Sequence, residues 1–243
     1  MAAQFFVEGV RAAGAVVPID GADARKITTV LRLRTGDTIR VVDSAGTLFE
    51  GALTVDGPTV AATLVRALPD DPGAAALEID VAQAVPKGQK MDFVVEKATE
   101  LGAGAILPFY SERSVVARLG EGKPERWRRL ARGAAAQSGR RDVPHVADVL
   151  TFGELLTRFD GYDLVLFPWE LAPAERLRDR LGALLAGRRR VLLVVGPEGG
   201  FSHDEAEAAR DRGAVLLWLG RRILRTETAA LALLAILRYA ADD

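Results

Sequence analysis

The architecture of this 243-residue chain follows from the segment Val191-Leu192-Leu193-Val194-Val195-Gly196-Pro197-Glu198-Gly199-Gly200-Phe201. Its first five residues are aliphatic without polar alternation, which is typical of a parallel strand that is covered on both faces. The glycines that follow allow a sharp turn and leave backbone N–H groups free to bind a ligand. Ser202 and Glu205 have the spacing of a capping box, and Gly213 is placed to end the helix that they begin. The segment therefore predicts a strand, a glycine loop and a helix.

A second strand and glycine-bearing loop come later in the chain. The apolar run Ala214-Val215-Leu216-Leu217-Trp218 leads into Leu219-Gly220-Arg221-Arg222-Ile223-Leu224-Arg225-Thr226-Glu227-Thr228-Ala229. Thr226 can cap a final helix that begins at Glu227 and ends near residue 241. We interpret the two strands as neighbours in a parallel sheet whose loops leave the same end, which is where ligands bind in open α/β sheets. Tight turns with ordinary caps explain either loop alone, but they do not explain both at matching strand ends.

Composition limits what this site can be. A hydrophobic content of 49% lets the chain bury the core of one large domain or of two unequal ones. Cysteine is absent, which excludes a cysteine-ligated metal and a cysteine nucleophile. The net charge of −1 gives no general attraction to nucleic acid, so a polyanion would need a local basic patch. We find no membrane-spanning apolar run and no signal-peptide pattern, and we expect a cytoplasmic protein.

The chain divides into two predicted domains. Short, turn-bounded apolar runs before residue 66 predict a small β-barrel or sandwich, which one helix from about 22 to 31 interrupts. The segment Pro69-Asp70-Asp71-Pro72-Gly73-Ala74-Ala75-Ala76 has the composition of a linker. We place the domains at residues 1–71 and 72–243. Strands and helices alternate in the second domain, which predicts a parallel sheet with right-handed crossovers.

Basic residues form two groups that could contact phosphate. Lys26, Arg32 and Arg34 make one basic spot, for which phosphate contact and an ordinary solvated face have similar weight. An arginine fork can donate two hydrogen bonds to phosphate, so a basic rim is the better interpretation for the second group. That group consists of Arg113, Arg140 and Arg141, with the neutral Gln137 in the same cluster as the last two.

The two glycine-bearing motifs together resemble the RsmE family of 16S ribosomal RNA uridine N3-methyltransferases, in the SPOUT superfamily. Further matches are Glu96-Lys97-Ala98-Thr99-Glu100-Leu101-Gly102, Ser111-Glu112-Arg113-Ser114 and Gln137-Ser138-Gly139-Arg140. The resemblance implies an α/β fold with a SPOUT-type parallel sheet, a C-terminal trefoil knot and an N-terminal PUA-like β-barrel that binds RNA. It also implies S-adenosylmethionine as the methyl donor, a homodimer, and 16S ribosomal RNA or the assembled small ribosomal subunit as the partner.

The chain departs from the family pattern at two places. Ala3-Gln4 stands where an arginine is usual, and Ala136 stands where an acidic residue is usual. Both departures leave the donor site intact and concern only the contacts with RNA. We expect the RNA contacts to come from Lys26, Arg32, Arg34, Arg113, Gln137, Arg140 and Arg141.

Pyrimidine chemistry agrees with this resemblance. Methylation at carbon 5 of a pyrimidine normally needs a cysteine nucleophile, so a nitrogen or oxygen acceptor remains. Uracil N3 carries a weakly acidic proton, so methyl transfer requires a base or a positive charge that stabilises the anion. The reaction requires no metal, and we expect no membrane partner. Glu198 could be that base, hydrogen-bond the donor or orient the loop. Arg225 could stabilise the anion or grip a phosphate, and Glu227 could be a base or only favour the helix dipole.

The donor would be held mainly by backbone groups of the two glycine loops. We expect donor contacts from Phe167, Pro168, Gly196, Pro197, Glu198, Gly199, Gly200, Leu219, Gly220, Ile223, Leu224, Thr226 and Thr228. Two alternatives remain open: a non-catalytic RNA-binding or ribosome assembly protein of the same fold, and a methyltransferase with a different RNA acceptor. A hydrolase is disfavoured because the chain has no Gly-x-Ser-x-Gly motif.

Overall fold

The computed structural model of the protein describes residues 2–69, 77–115, 120 and 122–241. The chain forms two compact units, Met1–Ala74 with Ala135–Val143 and Ala75–Ala134 with Pro144–Asp243. Apart from Pro69, the predicted linker lies outside the described residues, as does the predicted boundary between residues 71 and 72. The boundary and the roles of the two domains therefore stay predictions.

The smaller unit contains a five-stranded sheet. Its strands are β1 (Gln4–Phe6), β2 (Val16–Pro18), β3 (Thr38–Val42), β4 (Leu48–Asp56) and β5 (Thr59–Ala67). Their order is β1-β3-β4-β5-β2, with β1 parallel to β3 and the other pairs antiparallel. Phe5, Ile39, Leu53 and Leu64 are buried in its core. A hairpin that contains Ser44, Ala45 and Gly46 joins β3 to β4.

The predicted helix of the smaller unit is formed in two parts. Helix α1 (Gly21–Arg25) continues into a π-helical turn, Lys26–Val30. Ile27 to Val30 are all β-branched, and such residues favour a regular α-helix less than straight-chain residues do. Arg32 follows with a φ of +54°, a conformation that reverses the chain direction before β3.

The larger unit is built on a parallel sheet, as predicted. Its strands are β6 (Glu78–Ala84), β7 (Ala105–Tyr110), β8 (His145–Val146), β9 (Leu150–Thr151), β10 (Leu164–Pro168), β11 (Arg190–Val195) and β12 (Val215–Leu217). The order is β12-β10-β11-β6-β7-β8, and β9 pairs with β7. All of these pairs are parallel.

One detail of the predicted sheet is wrong. The strands before the two glycine loops, β11 and β12, are not neighbours, because β10 lies between them and pairs with both. Consecutive strands in a chain are often but not always adjacent in space, and local pattern does not encode their order. The carboxyl end of β10 is therefore brought between the two loops.

Both faces of the parallel sheet are covered. Alternate residues of a strand point to opposite faces, so Leu193 lies in one buried cluster while Leu192 and Val194 lie in the other. The covering helices are α2 (Lys90–Glu100), α3 (Lys123–Ser138), α4 (Phe152–Arg158), α5 (Leu177–Leu185), α6 (His203–Asp211) and α7 (Thr226–Ala241). The two-sided burial explains why β11 is aliphatic from Val191 to Val195, after the exposed Arg190.

The signals that delimit the helix after the first glycine loop are confirmed. Ser202 caps α6 by accepting a hydrogen bond from the backbone N–H of Glu205, and the Glu205 carboxylate accepts one from the Ser202 N–H. Gly213 follows the end of α6 with a φ of +84°, which glycine adopts without strain. None of the described helices is long and apolar enough to cross a bilayer.

Candidate functional site

A cavity of about 490 Å³ opens in the larger unit where β10, β11 and β12 end. Three segments line it: Pro168 to Glu170 after β10, Val195 to Phe201 after β11, and Trp218 to Gly220 after β12, together with Arg222 to Thr226. Pockets for small organic ligands span roughly 300–1,000 Å³. We call this cavity the loop pocket, Gly196–Gly200 the first glycine loop, and Trp218–Arg225 the second glycine loop.

The loop pocket brings together most of the residues that were expected to hold the donor or to act in catalysis. Phe167, Glu227 and Thr228 do not line it, since Phe167 is buried in the core and the other two lie in the first turn of α7. The expected residues that do line it are Pro168, Gly196, Pro197, Glu198, Gly199, Gly200, Leu219, Gly220, Ile223, Leu224, Arg225 and Thr226.

Eight further lining residues were not predicted: Lys90, Trp169, Glu170, Val195, Phe201, Trp218, Arg222 and Ala229. Trp169 and Glu170 follow β10 at its carboxyl end, so the rule that pointed to the glycine loops could also have found them. Arg222 belongs to the second glycine loop but was not assigned to the site. Lys90 begins α2 and has no local signal that distinguishes it from a solvated lysine.

Close packing explains why residue 196 is a glycine. A Cβ atom at Gly196 would lie 2.9 Å from the nearest ring carbon of Phe201. The Phe201 ring is 2% exposed, and its centroid lies 4.0 Å from that of Phe167, so it has little room to move. A side chain at this position would displace either the core ring or the first glycine loop.

A second glycine adopts a conformation that other residues avoid. Gly200 has a φ of +68°, and a Cβ there would lie 2.7 Å from Oε1 of Glu170. The Glu170 carboxylate thus lies directly against the backbone of the first glycine loop. Among the described residues, Glu170 forms no ion pair, so its negative charge is available to the pocket.

A buried hydrogen-bond chain joins the first glycine loop to α7 and β6. The Thr226 hydroxyl donates to the backbone carbonyl of Gly196, with 2.5 Å between the oxygens. The Gln83 amide in turn donates to the Thr226 hydroxyl at 2.8 Å, and Gln83 is 0% exposed. Thr226 is the first residue of α7, and its hydroxyl ties this helix to the first glycine loop. It therefore does not act as the predicted helix cap.

The loop after β7 is also held against the first glycine loop. Glu205 accepts hydrogen bonds from the Ser111 hydroxyl at 3.0 Å and from the Glu112 backbone N–H at 2.9 Å. The Arg113 guanidinium donates to the carbonyl of Gly199 at 3.3 Å. Arg113 is therefore placed beside the first glycine loop, although its predicted contact with RNA stays a prediction.

Glu198 is engaged by two lysines. Its Oε1 atom accepts hydrogen bonds from the Lys90 ammonium at 2.8 Å and from the Lys87 backbone N–H at 3.1 Å. Burial alone would raise the pKa of the Glu198 carboxyl, but these hydrogen bonds outweigh burial and lower it. The hydrogen bond to Glu198 also raises the pKa of Lys90. Glu198 is thus a stabilised carboxylate at neutral pH, and a stabilised carboxylate is a weak general base.

The remaining basic residues that were predicted to contact RNA belong to the smaller unit. The Lys26 ammonium lies 5.9 Å from the ring centroid of Phe5, and Arg140 forms an ion pair with Asp142. The Gln4 amide donates to the Arg140 carbonyl at 2.5 Å. The stretch Ala135–Val143 belongs to this unit, so Gln137, Arg140 and Arg141 are grouped with Lys26, Arg32 and Arg34. Their predicted contact with RNA stays a prediction.

Metal ligation is not supported within the part of the chain that the structure describes. No group of three or more histidine, aspartate or glutamate residues is arranged there to hold an ion. The groups of the loop pocket that can contact a ligand are its backbone groups, carboxylates and basic side chains.

The amino-acid sequence matches one protein family and is similar to relatives that carry the same name. Residues 74–238 match the model of a family described as an RNA methyltransferase domain. Ribosomal RNA small subunit methyltransferase E of Bacillus subtilis (strain 168) is 33% identical over 227 residues, which are 91% of this chain and 89% of that protein. The protein of the same name from Mycobacterium bovis is 35% identical over 236 residues, which are 93% of this chain and 87% of that protein.

A solved structure supports the same relationship. The crystal structure of ribosomal RNA small subunit methyltransferase E from Neisseria gonorrhoeae, bound to S-adenosyl methionine, superposes with a TM-score of 0.87 at 30% sequence identity. The match covers 98% of this chain and 98% of that one.

Proposed function

The chain belongs to the ribosomal RNA small subunit methyltransferase E family, a family of RNA methyltransferases, and we propose that its acceptor is N3 of a uridine in 16S ribosomal RNA. The protein is an S-adenosylmethionine-dependent enzyme that methylates small-subunit ribosomal RNA. The observation that carries this function is the loop pocket, where two glycine loops meet at the carboxyl ends of parallel strands.

The residues of the loop pocket fit this donor. Glycines leave backbone groups of both loops open to a ligand, and Val195, Leu219 and Leu224 supply apolar walls for an adenosyl group. The Glu170 carboxylate suits a ligand that carries positive charge. When bound, S-adenosylmethionine supplies an electrophilic methyl group on a positively charged sulfur.

We assign activation of the acceptor to Arg225. When the N3 proton passes to solvent, negative charge remains on the uracil ring, and a nearby guanidinium stabilises such charge. Arg225 lines the loop pocket and, among the described residues, has no carboxylate partner. Glu198 is bonded to Lys90, and Glu227 does not line the pocket. We therefore assign the role of general base to neither carboxylate.

The acceptor can be tested in cells. Small-subunit ribosomal RNA from cells with and without the gene is digested and mapped by mass spectrometry. We expect one N3-methyluridine to disappear when the gene is deleted and to return when the gene is restored. An unchanged N3-methyluridine level would reject this acceptor, and loss of another methylated nucleotide would assign the enzyme a different one.

A non-catalytic protein of the same fold is the second candidate. Isothermal titration of the purified protein with S-adenosylmethionine separates the two, because only an enzyme of this class must bind the donor. Absence of binding at millimolar donor would favour a ribosome assembly or RNA-binding role.

Three further features of the resemblance belong to the same proposal. We propose that the segments after β11 and β12 form a trefoil knot and that the five-stranded sheet of the smaller unit is a PUA-like barrel that binds RNA. The solved structure of the family member covers nearly the whole chain, which supports both. A ribosomal RNA substrate also supports a cytoplasmic location.

We propose that the enzyme is a homodimer. Helix α7 exposes Ile236 and Tyr239, which are 43% and 75% exposed, and the second glycine loop exposes Ile223 at 91%. Ile236 also lines a second cavity of about 330 Å³, together with Leu177, Leu233 and other residues. Exposed apolar surface of this kind is typical of a protein interface.

The homodimer predicts a specific response to mutation. Ile236→Glu places a charge in the proposed apolar interface, so we expect sedimentation analysis to show a monomer where the wild type sediments as a dimer. Arg210→Glu, on the exposed face of α6, is the control and should not change the mass. A wild type that stays monomeric at high concentration would contradict the proposal.

A further inference from the structure

Lys90 contacts both segments that frame the loop pocket. Its ammonium nitrogen lies 2.8 Å from Oε1 of Glu198, on the first glycine loop, and 3.7 Å from Oε2 of Glu227, in the first turn of α7. Lys90 itself begins α2 and lines the pocket. One ammonium group therefore connects three separate elements of the larger unit.

Glu227 depends on Lys90 more than Glu198 does. The Oε2 atom of Glu227 is buried and accepts no hydrogen bond within the described part of the chain. The side chain is 14% exposed, and the ion pair with Lys90 compensates its charge. A buried carboxylate that loses its only ionic partner is strongly destabilising, because its lost hydration is no longer offset.

Three charged side chains surround the Lys90 ammonium: Glu198, Glu227 and Arg225. Glu198 faces it from the first glycine loop and Glu227 from α7, and both raise the pKa of Lys90, whereas the positive charge of Arg225 lowers it. The hydrogen bond from Lys90 helps to lower the pKa of Glu198. Without Lys90 that pKa would rise, and Glu198 would take up a proton at a higher pH than in the wild type.

We propose that Lys90 is a positioning residue for methyl transfer, which ties the first glycine loop to α7 and so keeps the donor-binding backbone in its binding conformation. The inference rests on the proposed function, because it concerns the donor site of that function. It assigns to Lys90 no contact with the reacting atoms. Its effect passes through Glu198 on the first glycine loop and through Glu227, which follows the pocket-lining Thr226 in the first turn of α7.

The test is isothermal titration of the full-length protein with S-adenosylmethionine at several pH values between about 4 and 8, a range that includes the titration of ordinary carboxyl groups. For Lys90→Met we expect the donor Kd to rise by about tenfold at neutral pH, in the range of measured coupling between contacting charged groups. As the pH falls, the Kd of Lys90→Met should begin to rise further at a higher pH than the Kd of the wild type, because Glu198 takes up its proton at a higher pH without Lys90.

Three variants separate positioning from a general loss of structure. Lys90→Arg keeps the charge and should restore the Kd to within about threefold of the wild type. Lys90→Met with Glu227→Gln removes the uncompensated carboxylate and should recover part of the affinity. Lys97→Met is the matched control, since Lys97 lies on the same helix, pairs with Glu96 and Glu100, and is 34% exposed against 33% for Lys90.

Thermal unfolding of the unliganded variants supplies a second readout. We expect Lys90→Met to lose stability relative to Lys97→Met, with the double variant intermediate, because the buried Glu227 charge loses its partner. A Lys90→Met protein with the wild-type Kd and the wild-type pH profile would overturn the inference. A wild type that binds no donor would instead overturn the proposed function, so the two failures are distinguishable.

Discussion

Arg225→Ala should lower kcat by roughly a hundredfold or more, the effect of removing a group that stabilises a developing anion. The donor Kd should change by no more than about threefold, because the contact would be made mainly in the transition state. The physical reason is that Arg225 lines the loop pocket and has no carboxylate partner among the described residues, while Lys90 is bonded to Glu198. Single-turnover methylation of small-subunit ribosomal RNA and isothermal titration of the donor measure the two quantities.

Two variants control this prediction. Arg221→Ala removes the same side chain from the same loop at a position that does not line the pocket, and it should leave kcat and Kd close to the wild type. Arg225→Lys keeps the charge but loses the planar fork, so its kcat should be intermediate. Equal losses in kcat and donor affinity for Arg225→Ala would assign the residue to binding instead of catalysis.

Gly196→Ala should damage both stability and donor binding. The new Cβ would lie 2.9 Å from the Phe201 ring, which is buried among Phe167 and Phe109 and cannot yield easily. Overpacking of this kind costs about 1–3 kcal/mol in the free energy of unfolding. If the loop moves instead of the ring, the donor-binding backbone shifts, and donor affinity should fall by roughly tenfold or more.

Urea denaturation and isothermal titration together check the second prediction. Gly153→Ala is the control, because Gly153 lies in α4 and a Cβ there would meet nothing within 4 Å. That substitution should leave donor affinity unchanged and slightly increase stability, since alanine favours a helix more than glycine does. A Gly196→Ala protein as stable as the wild type, with unchanged donor affinity, would show that the Phe201 ring relaxes at no cost.

The contrast between Glu198 and Phe167 shows where reasoning from sequence reached its limit. The glycine loop around Glu198 was found because its glycines and the preceding aliphatic run are adjacent in the chain. Which partner Glu198 has could not be found, because Lys90 lies 108 residues away. Phe167 was expected at the donor, but it lies at the end of β10 with its ring in the core against Phe201. A strand alternates its faces, and the sequence does not show which face meets a ligand.

Trp169 and Glu170 were missed for a related reason. The glycine loops were expected to follow neighbouring strands, whereas β10 lies between β11 and β12 and places its own loop in the pocket. Strand order depends on how the connections cross the sheet, and no local run of residues reports it.

The amino-acid sequence by itself determined the elements and their local ends: the aliphatic strand β11, the glycine loop after it, the capping box at Ser202 and the helix end at Gly213. These depend on interactions between residues close together in the chain, so periodicity and residue type are enough to predict them. Only the tertiary structure decided that β10 separates the two loops, that Thr226 joins the first glycine loop to α7, and that Lys90 contacts both Glu198 and Glu227. Each of these contacts joins residues far apart in sequence, and they form only when the sheet and its covering helices pack together.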